Sequence, residues 1–110
     1  MGTQNYSILI PCTMKIRIHE LAAKEFDDAI KWYDQQSEGL GKRFKKTVTD
    51  SIKKISKNPE WYLKESDDLY KSYVPKFPYK VLFTAEKYEI IIWAIAHMHR
   101  EPWYWQSRIS

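Results

Sequence analysis

Cysteine occurs once in the 110 residues, at Cys12, which excludes an intramolecular disulfide and argues against a zinc site built on thiolates. No apolar run approaches the roughly 18 residues of a membrane span. Nor does a basic stretch followed by a long apolar one mark a secretory signal. The expectation is a cytoplasmic protein with no membrane partner. Internal repeats and low-complexity tracts are missing too. Charge of one sign hardly dominates: 18 Lys and Arg against 14 Asp and Glu leave +4, an excess that permits an anionic partner without demanding one. What is there is apolar and aromatic, 44% and 15% of the chain. That is the profile of one folded globular domain with large rings in its core.

Residues 1–13 hold no charged side chain, whereas Lys15, Arg17 and Glu20 follow closely. Lys15-Ile16-Arg17-Ile18-His19 alternates polar and apolar, as a half-buried strand does. The domain is therefore expected to span 14–110, with 1–13 as an N-terminal extension. Leu21 to Gln36 places Ala22, Phe26, Ala29, Ile30 and Tyr33 on one helical face. Gly39-Leu40-Gly41 turns the chain. A second helix then puts Leu40, Phe44, Val48, Ile52 and Ile55 on one stripe and ends at Asn58-Pro59. So short a link folds the two helices into an antiparallel hairpin. Strands are predicted at Tyr70–Val74, Tyr79–Thr84 and Tyr88–His97. The order β-α-α-β-β-β is an α+β fold, with the helical hairpin packed on one face of a small, mainly antiparallel sheet.

Strand side chains alternate faces, so Ile90, Ile92, Ala94, Ala96 and Met98 should share one face and Ile91, Trp93, Ile95, His97 and His99 the other. Small Ala94 and Ala96 suit the close approach of a packed helix. In the preceding strand Tyr79, Val81 and Phe83 read as core, leaving Lys80, Leu82 and Thr84 opposite. One consistent reading gives a helix-covered face and an open face bearing Lys71, Lys80, His97 and His99. Without carboxylates that cluster is a poor divalent-metal site, and no metal or other cofactor is expected. It does suit RNA cleavage by 2′-hydroxyl attack, because Lys and Arg can stabilise phosphate charge and His can move a proton near neutral pH.

The second helix carries Lys42, Arg43, Lys45, Lys46, Lys53, Lys54 and Lys57 against the single acid Asp50. Its exposed face could dock nucleic acid or an acidic protein, or simply be solvated. A groove for single-stranded RNA interleaves aromatics with such charges, and this face has none.

The tail carries a resemblance. Phe77-Pro78-Tyr79 opens a strand, and Ile90-Ile91-Ile92-Trp93-Ala94-Ile95-Ala96-His97 runs into His97-Met98-His99-Arg100-Glu101-Pro102, with Trp103-Tyr104-Trp105 behind it. Ala22-Ala23, Phe26-Asp27-Asp28-Ala29, Trp32-Tyr33, Gly39-Leu40-Gly41 with Phe44, and Asn58-Pro59 agree in order and spacing. From residue 14 to about 108 the chain resembles the RelE/ParE toxin superfamily. The resemblance implies the toxin of a bacterial type II toxin–antitoxin pair, inhibiting growth and neutralised by a cognate antitoxin. RelE-like members cut mRNA on the ribosome, and ParE-like members inhibit DNA gyrase without being nucleases; a degenerate, non-toxic relative is a third possibility. For a metal-independent endoribonuclease the matching catalytic residues are His97, Arg100, Lys71 and Lys80, with Lys76 and His99 as nucleic-acid contacts. One departure weakens the nuclease: Pro75 and Lys76 stand where family members often have Arg, and Lys cannot clamp phosphate bidentately. Beyond Pro102, Trp103 and Trp105 are expected to begin a short helix that packs its rings on the sheet.

Overall fold

Charge and alternation set in together at the first strand. In the computed structural model, which describes residues 14–109, Lys15–Ile18 forms β1. His19 ends the strand by capping the next element, its Nδ1 accepting the Leu21 N–H at 3.1 Å. The expected extension, 1–13, lies outside the described residues. Helix α1 spans Glu20–Gln36 and α2 spans Leu40–Lys57. The apolar stripes of both drive them onto the sheet: Ala22, Ala29 and Tyr33 from α1 and Phe44, Val48, Ile52 and Ile55 from α2 are all buried. Gly39 turns between them at φ +82°, and Gly41 lets them close. A Cβ at Gly41 would collide with the Ile30 carbonyl oxygen and the Asp34 carboxylate. Instead Asp34 Oδ1 accepts the Gly41 N–H at 2.9 Å.

After a short 3₁₀ turn at Pro59–Trp61 come β2 (Leu63–Ser66), β3 (Leu69–Tyr73), β4 (Tyr79–Ala85) and β5 (Glu89–His97), then α3 (Trp103–Ile109). The sheet order is β1-β5-β4-β3-β2. Strand β1 runs parallel to β5, and the other neighbours are antiparallel. This is the expected α+β architecture with one strand more, β2. Leu63-Lys64-Glu65-Ser66 has a single apolar residue and none that is β-branched, so it shows no strand pattern. Hydrogen bonding to the edge of β3 makes it a strand.

Alternation along β5 breaks once. Leu82 pairs with Ala94 but Phe83 pairs with Ile92, so Trp93 is an extra residue, a β-bulge. Before and after it, opposite parities face the same way. Ile90, Ile92 and Ile95 join Val81, Phe83 and the helical hairpin in the main core. Ala94 and Ala96 join Leu69, Leu82 and Trp105 on the other face, with Trp93 packed beside them. The expected grouping of Ile90 and Ile92 with Ala94 and Ala96 is therefore split at the bulge. The two alanines do receive a helix, but it is α3, whose Trp105 ring fills the space above them and is 1% exposed. Trp103, also expected on the sheet, is exposed.

Candidate functional site

Strand β1 pairs only with Glu89–Ile92 of β5, and its edge ends with the His19 N–H bonded to the Ile92 carbonyl at 2.8 Å. Past that point the outer edge of β5 must find partners elsewhere, because unpaired backbone groups are costly to bury. Glu25 of α1 and Arg108 of α3 supply them. Glu25 Oε1 accepts the Ile95 N–H at 3.0 Å, and Arg108 Nη1 donates to the Trp93 carbonyl at 3.0 Å. The two side chains meet in a forked pair, Nη2 to Oε2 at 2.6 Å and Nη1 to Oε1 at 3.1 Å. With 6% of the Arg108 side chain exposed, this pair is a buried lock joining α1, β5 and α3. Hydrogen bonding to Glu25 holds the guanidinium above its ordinary pKa. Sequence reasoning missed both residues. Glu25 did carry a signal, since it stands three residues after Ala22 and four before Ala29, on the buried side of α1. Arg108 carried none.

Beside the lock lies an open groove of about 190 Å³, walled by Glu25, Asp28, Tyr79, His97, Arg100 and Tyr104. The His-x-x-Arg spacing is what brings His97 and Arg100 together. The chain turns after β5 with the Arg100 N–H bonded to the His97 carbonyl at 3.0 Å. The Arg100 guanidinium then lies 4.1 Å from the centre of the Tyr104 ring, a cation–π contact that holds it over the groove. His97 is exposed, its ring 5.7 Å from Tyr79 and 5.6 Å from His99. Its Nδ1 accepts the His99 N–H at 3.3 Å, so a neutral ring carries its proton on Nε2. Burial pushes the Tyr79 phenol up, the charge of Glu25 adds to that, and Arg100 opposes it. Tyr79 therefore stays protonated at neutral pH. Among the described residues no group of three His, Cys, Asp or Glu could hold a metal ion.

The lysines are elsewhere. Lys71 and Lys80 sit on the α3 face, paired with Leu82 and Ala96 respectively. Both ammonium groups are directed at Glu65 Oε1, Lys80 at 3.3 Å and Lys71 at 3.7 Å. Lys80 also lies 5.0 Å from the centre of the Trp105 ring, with 8% of its side chain exposed. Lys76 occupies the turn between β3 and β4, exposed and at φ +69°. The structure thus brings His97, His99 and Arg100 together at the end of β5 and leaves Lys71 and Lys80 on the opposite face. The common open face expected for Lys71, Lys80, His97 and His99 does not form, because the bulge at Trp93 turns His97 toward the hairpin side.

Residues 16–102 match the family model described as ParE toxin of type II toxin–antitoxin system, parDE. The chain belongs to the ParE toxin family. It is accordingly a type II toxin whose partner is an antitoxin. The backbone agrees: a chain from the chromosomal ParDE toxin–antitoxin system of P. aeruginosa superposes with a TM-score of 0.69 at 14% identity, over 79% of this chain and 98% of that one. A free-state E. coli RelE toxin mutant superposes with a TM-score of 0.66 at 14% identity, over 89% of this chain and 99% of that one. At such identity these two likenesses speak for the fold alone. No curated protein sequence matches significantly. In a ParE-type fold the motif residues have structural roles: Phe77 and Tyr79 lock the start of β4 into the hairpin, with ring centres 5.0 and 5.1 Å from Phe44.

Proposed function

We propose that this ParE-family toxin arrests growth by binding its cellular target, DNA gyrase, rather than by cleaving RNA. One observation supports this above the others. The cations that would stabilise a scissile phosphate, Lys71 and Lys80, are held on Glu65 on one face of the sheet, while His97 and Arg100 stand on the other side. Of Lys71, Lys80 and Arg100, Arg100 alone shares a groove with His97, so a phosphate bound there would lack the sheet lysines. Releasing Lys80 would leave Glu65 short of a partner and uncover Trp105.

Induction in cells tests the reading, with DNA and protein synthesis followed separately and gyrase supercoiling assayed with purified toxin. DNA synthesis should fail first, supercoiling should be inhibited, and His97→Ala should remain toxic. A second reading rests on the meeting of His97, Arg100 and Tyr79 in one groove: a ribonuclease that works without the sheet lysines. Discrete mRNA cleavage lost in both His97→Ala and Arg100→Ala would establish it and overturn the gyrase proposal.

A further inference from the structure

The positive charge of this protein is concentrated on one helix. Helix α2 carries seven Lys and Arg against one acid, while the rest of the chain is net acidic, with eleven Lys and Arg against thirteen Asp and Glu. Burial of the apolar stripe requires only that the other face be polar, and alternating charge would have served that purpose. Four of the lysines also line up. Lys42, Lys46, Lys53 and Lys57 are spaced by four, seven and four residues, so at 3.6 residues per turn they fall within about 60° of one another over about 22 Å. All four are exposed. Lys46 pairs with Asp50 at 3.0 Å. Among the described residues Lys42, Lys53 and Lys57 make no ion pair.

We infer that the exposed face of α2 is a docking surface for the phosphate backbone of duplex DNA. The other anionic partners lack their usual anchors. An acidic peptide helix is held by apolar residues as well as charge, and a membrane surface by inserted apolar or aromatic side chains. None of the large exposed apolar side chains lies on α2. Single-stranded nucleic acid needs stacking platforms, and this face has no ring. Lysines are point charges that follow phosphates without reading bases. A straight row about 22 Å long fits the regular phosphate ridge of B-DNA, which carries one charge per about 1.7 Å of helix axis, whereas the phosphates of A-form RNA border a deep, narrow major groove. The surface is remote in sequence from the His97 groove and does not depend on how the toxin acts on its target.

Titration of the full chain into a labelled 24-base-pair DNA duplex of arbitrary sequence tests the proposal over a range of salt concentrations. Wild-type binding should be independent of sequence, with a log K against log salt slope of about −3 to −4 for four phosphate contacts. Each Lys→Gln change at 42, 46, 53 or 57 should reduce the magnitude of the slope by about one, and the quadruple variant should lose binding while melting at the wild-type temperature. Lys24→Gln with Lys31→Gln, on α1, should change neither. Three results would overturn the proposal: duplex binding that survives the quadruple change, tighter binding to an RNA duplex of the same length, or binding to phosphatidylglycerol vesicles or polyglutamate in place of DNA.

Discussion

The two faces of the sheet are built differently, although β5 serves both. On the hairpin face Phe44 lies at the centre of an aromatic cluster with Phe26, Tyr33, Phe77 and Tyr79, ring centres 4.9 to 6.0 Å apart. Aliphatic residues of α2 and the strands complete this dry core. The α3 face centres on one fully buried ring, Trp105, between two alanines and an ammonium group, with Trp93 and Tyr104 packed beside it, and its edges are fastened by charge. Lys80 and Lys71 converge on Glu65, and Arg108 forks onto Glu25. A core of rings is stabilised by area removed from water and tolerates approximate geometry. Buried ion pairs add little net stability when intact but are costly to break singly. The second face should therefore be the more specific and the more brittle of the two.

The largest effects test that brittleness. Glu25→Ala strands a buried guanidinium and the Ile95 N–H, and should cost about 3–5 kcal/mol in chemical denaturation. That equals the roughly 3–5 kcal/mol expected for Phe44→Ala, although Glu25 contributes far less apolar area. Glu25→Gln keeps an acceptor for Ile95 and should cost less than Glu25→Ala. If Glu25→Ala unfolded at the wild-type denaturant concentration, the lock would be dispensable and the contrast between the faces would fall. Next comes Lys80→Ala, which uncovers Trp105 and leaves Glu65 with Lys71 alone, for a loss of about 1–3 kcal/mol. Lys80→Met restores cover over the ring and should recover most of that loss, as measured in the same denaturant series.

Alkaline pH acts on the hairpin face. Burial raises the pKa of Tyr33, Tyr62 and Tyr79 above the ordinary tyrosine value, so the folded state holds these protons more tightly than the unfolded chain. Their contribution is complete below the ordinary tyrosine range and declines as pH rises through it. The melting temperature should fall as pH is taken above that range, and absorbance titration should show tyrosines ionising late. The smallest effect belongs to α2. Hydrogen bonding to Lys46 lowers the Asp50 pKa, a contribution present at neutral pH and lost as pH falls through the depressed value. Because the pair lies in open solvent, Asp50→Asn should lower the melting temperature only marginally at neutral pH.

Much of the fold was legible because its signals are local. The apolar stripes of α1 and α2, the turn at Gly39 and Gly41, and the β-branched run of β5 each determine an element from neighbouring residues alone. The strand end at His97, the stop at Pro102 and the concentration of charge on α2 were legible for the same reason. Strand β2 was not, since its residues satisfy no pattern and are ordered by the edge of β3.

By itself the sequence determined the elements other than β2, their order, the hairpin and the local meeting of His97 with Arg100, all of which depend on periods of two or 3.6 residues and on short turns. Only the tertiary structure decided which face each end of β5 presents. One extra residue at Trp93 reverses the alternation for everything after it, and that residue is set by the pairing of β5 with β4, not by a neighbour in the chain. The same holds for the partners of the charged groups. Glu25 and Arg108 are 83 positions apart, and Lys80 meets Glu65 across β3. Such pairs exist because the fold buries them together, and no local period in a sequence records a distance that only folding creates.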